Sequence, residues 1–325
     1  MKLFSQSILL QSIVILAVTL LLWAGALVAP APLPSDGGGV LYSVVARWFA
    51  SAPLAAVIVA MVLIVIEGVW LNLLLVDHAL TPQNSLLPTL LYIVCMSAPA
   101  TTLTPMVLAN LALIGCVRQL LLKGTLLTIS TGRACAATAF IGLATLFYLP
   151  AALMIVGYML AAINYRLYSW KDWAVLFLGF LAPYVTLVIV LMYTEGLAEW
   201  WQGVAESVGS MRTTVGDFTL WQALGNAVLL AVMLGGVAAV WTLYGEHTVV
   251  WQKNATSLLA YIVGAVAMLF VTCLFTADMQ LFAPAFTFCV TCLLTPPSRT
   301  IVRRKRREWT FTASLILIIV AALIC

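Results

Sequence analysis

The sequence predicts an all-α, polytopic helical membrane protein, and three observations carry that reading. Of 325 residues, 64% are hydrophobic and only 8% charged, where a soluble domain is roughly half apolar and about 25% charged. The apolar residues run in long unbroken stretches, without the apolar–polar alternation of barrel strands. The charges fall in short segments between those stretches. A soluble enzyme, a disordered chain and a peripheral membrane protein are excluded together. The whole chain, 1–325, reads as a single integral membrane domain.

A span needs about 17–25 apolar residues. Ile8–Val28 is the first such run, too long for the core of a signal peptide. Pro53–Val76 is the second, its proline in the first turn, where a missing N–H costs nothing. The apolar stretch Leu86–Lys123 is too long for one helix and is broken at Pro99 and Pro105. Thr104 can cap a restart with Pro105 in first position, which gives Leu86–Ala98 and Pro105–Leu122. Ala134–Arg166 divides at Pro150 by the same logic. Asp172–Tyr193 follows, with Ser169 and Asp172 forming a capping box. Phe218–Tyr244, Ser257–Thr276, Gln280–Thr295 and Thr310–Cys325 complete eleven membrane segments, some short and proline-broken. The alternative for a pair of Pro-broken segments is a re-entrant hairpin.

Charge orients them. With the N-terminus in the cytoplasm, thirteen of the fifteen basic residues fall inside and only Arg47 and Arg212 outside. That asymmetry follows the positive-inside rule and leaves the C-terminus periplasmic. Asp36, Glu195, Glu199, Glu206, Asp217 and Asp278 fall on the outer side. Two outer segments have helical apolar stripes: residues 40–50, through Leu41, Val44, Val45, Trp48 and Phe49, and residues 195–212, through Leu197, Trp200, Trp201, Val204 and Val208. Both read as amphipathic helices lying in the outer interface, with aromatic rings at headgroup depth. Their bland role is anchoring. Their sharper one is to wall a groove for a lipid head group, with Trp48, Trp200 and Trp201 as lining residues and Asn72 and Asn110 as polar candidates within the spans.

A set of ordered features is similar to those of a known group. Asn84-Ser-Leu-Leu-Pro88 opens a short helix, and Leu103-Thr104-Pro105 leads into Leu108-Ala-Asn110. Ile141-Gly-Leu-Ala-Thr-Leu-Phe-Tyr-Leu-Pro150, Tyr165-Arg166, Trp170-Lys-Asp-Trp173, Gly179 and Pro183-Tyr184 follow. In this order, from about Trp70 to Tyr184, the chain resembles an uncharacterised multi-pass inner-membrane family of Bacteroidota. Some members of that family carry the label beta-carotene monooxygenase. The resemblance implies a bacterial inner-membrane location and supplies no catalytic residues. A four-histidine iron centre does not fit a chain with only two, His78 and His247.

Few residues are equipped for chemistry. Glu67 is the acid well inside a confident span, where an ionised carboxylate costs at least ~2.5 kcal/mol. It is either a proton, cation or catalytic site, or a protonated side chain bonded to a neighbouring helix through Asn110, Asn164 or Asn226. Asn72, just over a turn on, is placed to share its polar face. Asp36, in Pro34-Ser-Asp-Gly-Gly-Gly39, occupies the first outer loop, where lipid-linked glycosyltransferases place an acid. A simple Ser-Asp-Gly turn explains it as well. Arg303, Arg304, Lys305, Arg306 and Arg307 form a cytoplasmic cluster that fixes topology and attracts anionic lipid, not nucleic acid. Gly235, Gly236 and Gly264 read as close-packing positions, and Cys289 and Cys292 as packing residues inside a helix.

With two histidines and scattered cysteines, neither a metal nor a cofactor is expected. The expected partners are membrane lipids, and either a lipid-linked glycan or the subunits of an envelope complex. Three functions fit: cell-envelope biogenesis at the periplasmic face, an ion- or proton-coupled transporter around Glu67, and a non-enzymatic membrane subunit or scaffold. Whether the chain is an enzyme is left open by its residues.

Overall fold

The computed structural model describes residues 8–34, 38–81, 85–97, 102–124, 127–167, 169–193, 201–202, 205, 220–271 and 277–294. Eleven α-helices form the architecture among these residues. They are α1 (Ile8–Val28), α2 (Val40–Phe49), α3 (Pro53–Asp77), α4 (Leu87–Ser97), α5 (Pro105–Leu120), α6 (Thr131–Phe147), α7 (Met154–Asn164), α8 (Trp170–Tyr193), α9 (Leu220–Tyr244), α10 (Val249–Val271) and α11 (Ala283–Leu294). Short 3₁₀ turns at Leu149–Leu153 and Ala277–Phe282 lead into α7 and α11.

Among the described residues three helices, α1, α3 and α8, are long and apolar enough to cross a membrane. They differ sharply from α4, α5 and α11. All 11 residues of α4 are buried, and so is nearly all of α11. At ~1.5 Å per residue an 11-residue helix covers ~16 Å, about half of a ~30 Å hydrocarbon core. A helix that short leaves its terminal N–H and C=O groups at depth, where only protein can satisfy them. α4 is packed by α1, α3 and α11, and that surrounding protein meets the requirement.

The breaks fall where proline chemistry places them. α4 stops at Ser97 and α5 restarts at Pro105. α6 stops at Phe147, and Pro150 sits in the first turn of the 3₁₀ segment. The backbone N–H of Ser169 donates to Asp172 Oδ2 at 3.3 Å, the reciprocal half of the expected capping box. Several starts differ from the sequence reading: α6 begins at Thr131 rather than Ala134, α8 at Trp170 rather than Asp172 and α11 at Ala283 rather than Gln280. α10 begins at Val249, eight residues before the expected Ser257, because Thr248 caps it: Trp251 N–H donates to Thr248 Oγ1 at 3.4 Å. Thr104 occupies the N-cap position of α5 in extended backbone but makes no side-chain cap; its hydroxyl turns to Gln280.

Contacts sort the connections into two ends. At one, Lys123 pairs with Asp77 at 3.7 Å across an exposed gap. There Arg133 donates to the Leu121 carbonyl at 2.7 Å, Lys253 to the Leu127 carbonyl at 2.6 Å, and Asn254 bonds both ways with the backbone of Leu122. At the other, Gly39 N–H donates to the Phe147 carbonyl at 2.7 Å. The Tyr42 hydroxyl reaches the Leu103 carbonyl at 2.9 Å there. Leu86 N–H donates to Gln11 Oε1 at 2.8 Å and Trp23 Nε1–H to Ser97 Oγ at 2.9 Å, so α1 and α4 run parallel. The basic loops therefore share one end, and the two proline breaks share the other with α2.

Small residues set the closest approaches. A Cβ on Gly157 of α7 would lie 2.5 Å from the Ala260 carbonyl and 3.0 Å from Gly264 N, so α7 and α10 touch backbone to backbone. Gly236 of α9 is packed the same way onto Cys289 of α11, at 2.7 Å, whereas Gly235 meets only the Leu293 side chain at 3.7 Å. Of the expected glycine contacts, 236 and 264 carry the packing and 235 does not. Cys289 and Cys292 are free and buried in α11, where they pack.

Candidate functional site

The polar groups with no surface role gather along the buried faces of α3, α4, α5 and α10. Glu67 lies at position 15 of the 25-residue α3 and is fully buried. Its Oε2 accepts a hydrogen bond from the Tyr92 hydroxyl at 2.9 Å. Its Oε1 has no partner among the described residues. The expected asparagine partners are not the ones used. Asn110 donates to the Gln280 carbonyl at 2.9 Å and to Met96 Sδ at 3.1 Å, and Asn164 donates to the Lys253 carbonyl at 3.0 Å. The side chain of Asn226 lies outside the described residues. A tyrosine takes the role because Tyr92 on the buried α4 sits opposite the glutamate, with Gly68 of α3 letting the two helices close: a Cβ there would lie 3.3 Å from the Thr89 carbonyl.

Tyr261 of α10 is a further buried hydroxyl. It is 5% exposed, and its hydroxyl has no partner among the described residues. Asn72 is buried with an unpartnered Oδ1 but is not bonded to Glu67. Two of the proposed polar-face residues are therefore buried in the same helix without forming one network. An unpaired buried polar atom costs about 1–3 kcal/mol. Glu67 Oε1, Asn72 Oδ1 and the Tyr261 hydroxyl are three such atoms among the described residues.

A second polar knot closes the end carrying the proline breaks. The Gln280 carboxamide donates to the Met96 carbonyl at 2.7 Å and accepts from the Thr104 hydroxyl at 3.1 Å. Its backbone carbonyl takes the Asn110 amide at 2.9 Å. Gln280, Asn110 and Met96 are fully buried and Thr104 is 5% exposed. This knot ties the C-terminal end of α4, the start of α5 and the 3₁₀ turn before α11.

The surface candidates are arranged differently. α2 turns only Tyr42 fully inward, with Val45 and Phe49 packed on the core. Burial pushes the Tyr42 hydroxyl up to about 12. Trp48 is 76% exposed and Val44 41%. The predicted apolar stripe is thus split between a protein-facing and an outward-facing half. Trp201 is also exposed, at 67%. Trp200, Asp36, most of 195–212 and the cluster Arg303, Arg304, Lys305, Arg306 and Arg307 lie outside the described residues.

Tyr92, Tyr261 and Gln280 were not singled out from the sequence. Tyrosine is counted with the hydrophobic residues in composition, so one hydroxyl inside an apolar run is easily passed over. The available signal was spacing: Lys253, Ser257 and Tyr261 recur at i, i+4, i+8 on one face of α10. Comparison with protein-family models, with curated proteins and with solved structures found no match.

Proposed function

We propose that the chain is a multi-pass bacterial inner-membrane protein in which Glu67 binds and releases a proton, as the coupling site of an ion-coupled transporter. The observation that carries this reading is the Glu67 carboxyl itself, fully buried, with one donor on Oε2 and none on Oε1. Among the described residues it has no ion-pair partner. An ionisable group within an apolar span is expensive and takes up a proton or a cation. A carboxyl with a single hydroxyl donor suits a proton better than a cation, which needs several oxygen ligands. The gathering of Lys123, Arg133 and Lys253 at one end supports a cytoplasmic assignment of that end, with the N-terminus inside and the C-terminus periplasmic.

The test is proton movement in lipid vesicles holding the purified protein and an internal pH dye, driven by a potassium diffusion potential. The wild-type protein acidifies the lumen faster than empty vesicles, and Glu67→Gln falls to their rate. Equal rates in wild type and variant contradict the proposal.

A second reading rests on Trp48 and Trp201. Rings this exposed, on α2 and beside the outer acids, suit headgroup depth. They support handling of a lipid or lipid-linked glycan at the periplasmic face. Mass spectrometry of lipids retained after gentle extraction tests it: a specific lipid lost on Trp48→Ala favours it, and bulk lipid alone counts against it.

A further inference from the structure

At the basic-loop end, α7 closes in a conformation that does not suit its sequence. Leu167 N–H donates to the Ala162 carbonyl at 3.1 Å and Arg166 N–H to the Ile163 carbonyl at 2.9 Å, the paired bonds of a Schellman turn. The left-handed position of that turn is normally glycine, which has no Cβ to clash. Here it is Arg166, at φ 60°. The same turn closes α3, where Leu80 N–H reaches the Leu75 carbonyl at 2.9 Å and the left-handed residue is the small Ala79, at φ 54°. A long side chain held against its backbone preference points to a contact outside the fold. Arg166 has none within it: it is exposed, and its guanidinium makes no hydrogen bond or ion pair among the described residues.

Its neighbours narrow the choice of partner. Arg133 is engaged by the Leu121 and Arg118 carbonyls, Lys253 by the Leu127 carbonyl and Lys123 by Asp77. Lys171, in the first turn of α8, is exposed, and its ammonium is as free as the Arg166 guanidinium among the described residues. Asp172 has both oxygens engaged, Oδ2 by Ser169 N–H at 3.3 Å and Oδ1 by the Thr131 hydroxyl at 3.4 Å. Trp170 is 83% exposed, the setting of an indole at headgroup depth. On the membrane side of Arg166, α7 exposes Val156, Met159, Leu160 and Ile163, one face at i, i+3, i+4, i+7. α8 packs on α6 and not on α7, so it leaves this face open.

We propose that Arg166 and Lys171 hold the phosphate of an anionic phospholipid in the leaflet at the basic-loop end, with Trp170 at its glycerol level and an acyl chain along the open face of α7. Two unpaired cations attract a headgroup of net negative charge, whereas a zwitterionic one brings its own ammonium against them. A free phosphate makes no use of the apolar face. The site is independent of the proton reading of Glu67 and lies at the opposite end from Trp48. It rests on the placement of the chain in a membrane.

The experiment is native mass spectrometry of the full chain, delipidated in detergent and titrated with phosphatidylglycerol or phosphatidylcholine, alongside thermal unfolding without lipid. The wild type binds phosphatidylglycerol more tightly than phosphatidylcholine. Arg166→Gly weakens phosphatidylglycerol binding about fivefold, the effect of losing one surface cation. Its melting point in lipid-free detergent stays at or above wild type, because glycine suits the left-handed position. Lys171→Gln weakens binding by a similar factor. Ala79→Gly, the same backbone change at the end of α3, leaves binding unchanged. The difference between wild type and variant isolates this site from lipid attracted by the Arg303–Arg307 cluster. Equal wild-type affinity for the two lipids overturns the site, and so does wild-type phosphatidylglycerol binding in both Arg166→Gly and Lys171→Gln. An equal loss in Ala79→Gly overturns it as well, as does displacement of the lipid by equimolar inorganic phosphate. A chain that stays dispersed in water without detergent overturns the membrane placement itself, which separates that failure from failure of the site alone.

Discussion

The helices α1 and α4 lie side by side, run parallel and are both strongly apolar, yet they live in opposite surroundings. α1 has 21 residues and leaves Leu9, Ile13, Leu16 and Leu21 more than half exposed. α4 has 11 and exposes none. Hydrophobicity does not separate them; length does. A helix that matches the hydrocarbon thickness satisfies its ends in the interfaces and tolerates lipid on its flank. A helix half as long has polar ends at depth and needs protein around it. The sheltered short helices are then where polar side chains can stand, and Glu67, Tyr92, Asn110 and Gln280 all stand against α4 or beside it.

Substitutions in the two regions should separate by the same rule. Gln280→Ala is the most damaging. It strands the Thr104 hydroxyl and the Met96 carbonyl and leaves a void, lowering stability by about 3–5 kcal/mol in thermal unfolding. Gly157→Val forces α7 from α10 and costs about 1–3 kcal/mol; the same change at Gly25 of α1, with nothing within 4 Å, leaves the melting point close to wild type. Tyr92→Phe removes the donor to Glu67 and costs about 1–2 kcal/mol by the same assay. Leu16→Ala, 61% exposed on α1, stays within about 0.5 kcal/mol of wild type. An effect at Leu16 as large as that at Gln280 would break the contrast between the regions.

A pH dependence sharpens the basic-loop end. His78 caps the C-terminal end of α3, its Nδ1 2.7 Å from the Leu74 carbonyl. Burial pulls its ring below its ordinary value, partly opposed by that backbone contact, while Lys123 adds to the lowering. A histidine depressed in the folded state favours the neutral ring. Its contribution is complete above the unfolded value of about 6.5 and is lost as pH falls through that value towards the folded one. Stability measured from neutral to mildly acid pH therefore falls, and His78→Gln flattens the fall. An unchanged slope in the variant contradicts this.

Most of the helix plan was legible because it depends on local chemistry. Prolines at 105 and 150 cannot continue a helix, and the apolar runs of α1, α3 and α8 match lipid length. The start of α10 was missed because Gln252, Lys253 and Asn254 look like a loop in hydropathy, whereas Thr248 caps a helix through them. Glu67 stood out because an acid in an apolar run is conspicuous. Its true partner did not, because Tyr92 is polar only at one atom and its position opposite Glu67 is set by packing of α4 on α3. The knot at Gln280 joins positions more than 170 residues apart, from Thr104 to Gln280, a pairing that no local pattern encodes.

The most direct test of the central claim, that Glu67 is a working proton site inside a sheltered core, is its own titration. Infrared difference spectra of the wild type and Glu67→Gln in lipid vesicles, taken from mildly acid to alkaline pH, isolate this one carboxyl. The account predicts a neutral-acid band at low pH that converts to carboxylate as pH rises and is missing from the variant. A band that never changes over that range, or no band assignable to Glu67, would contradict it.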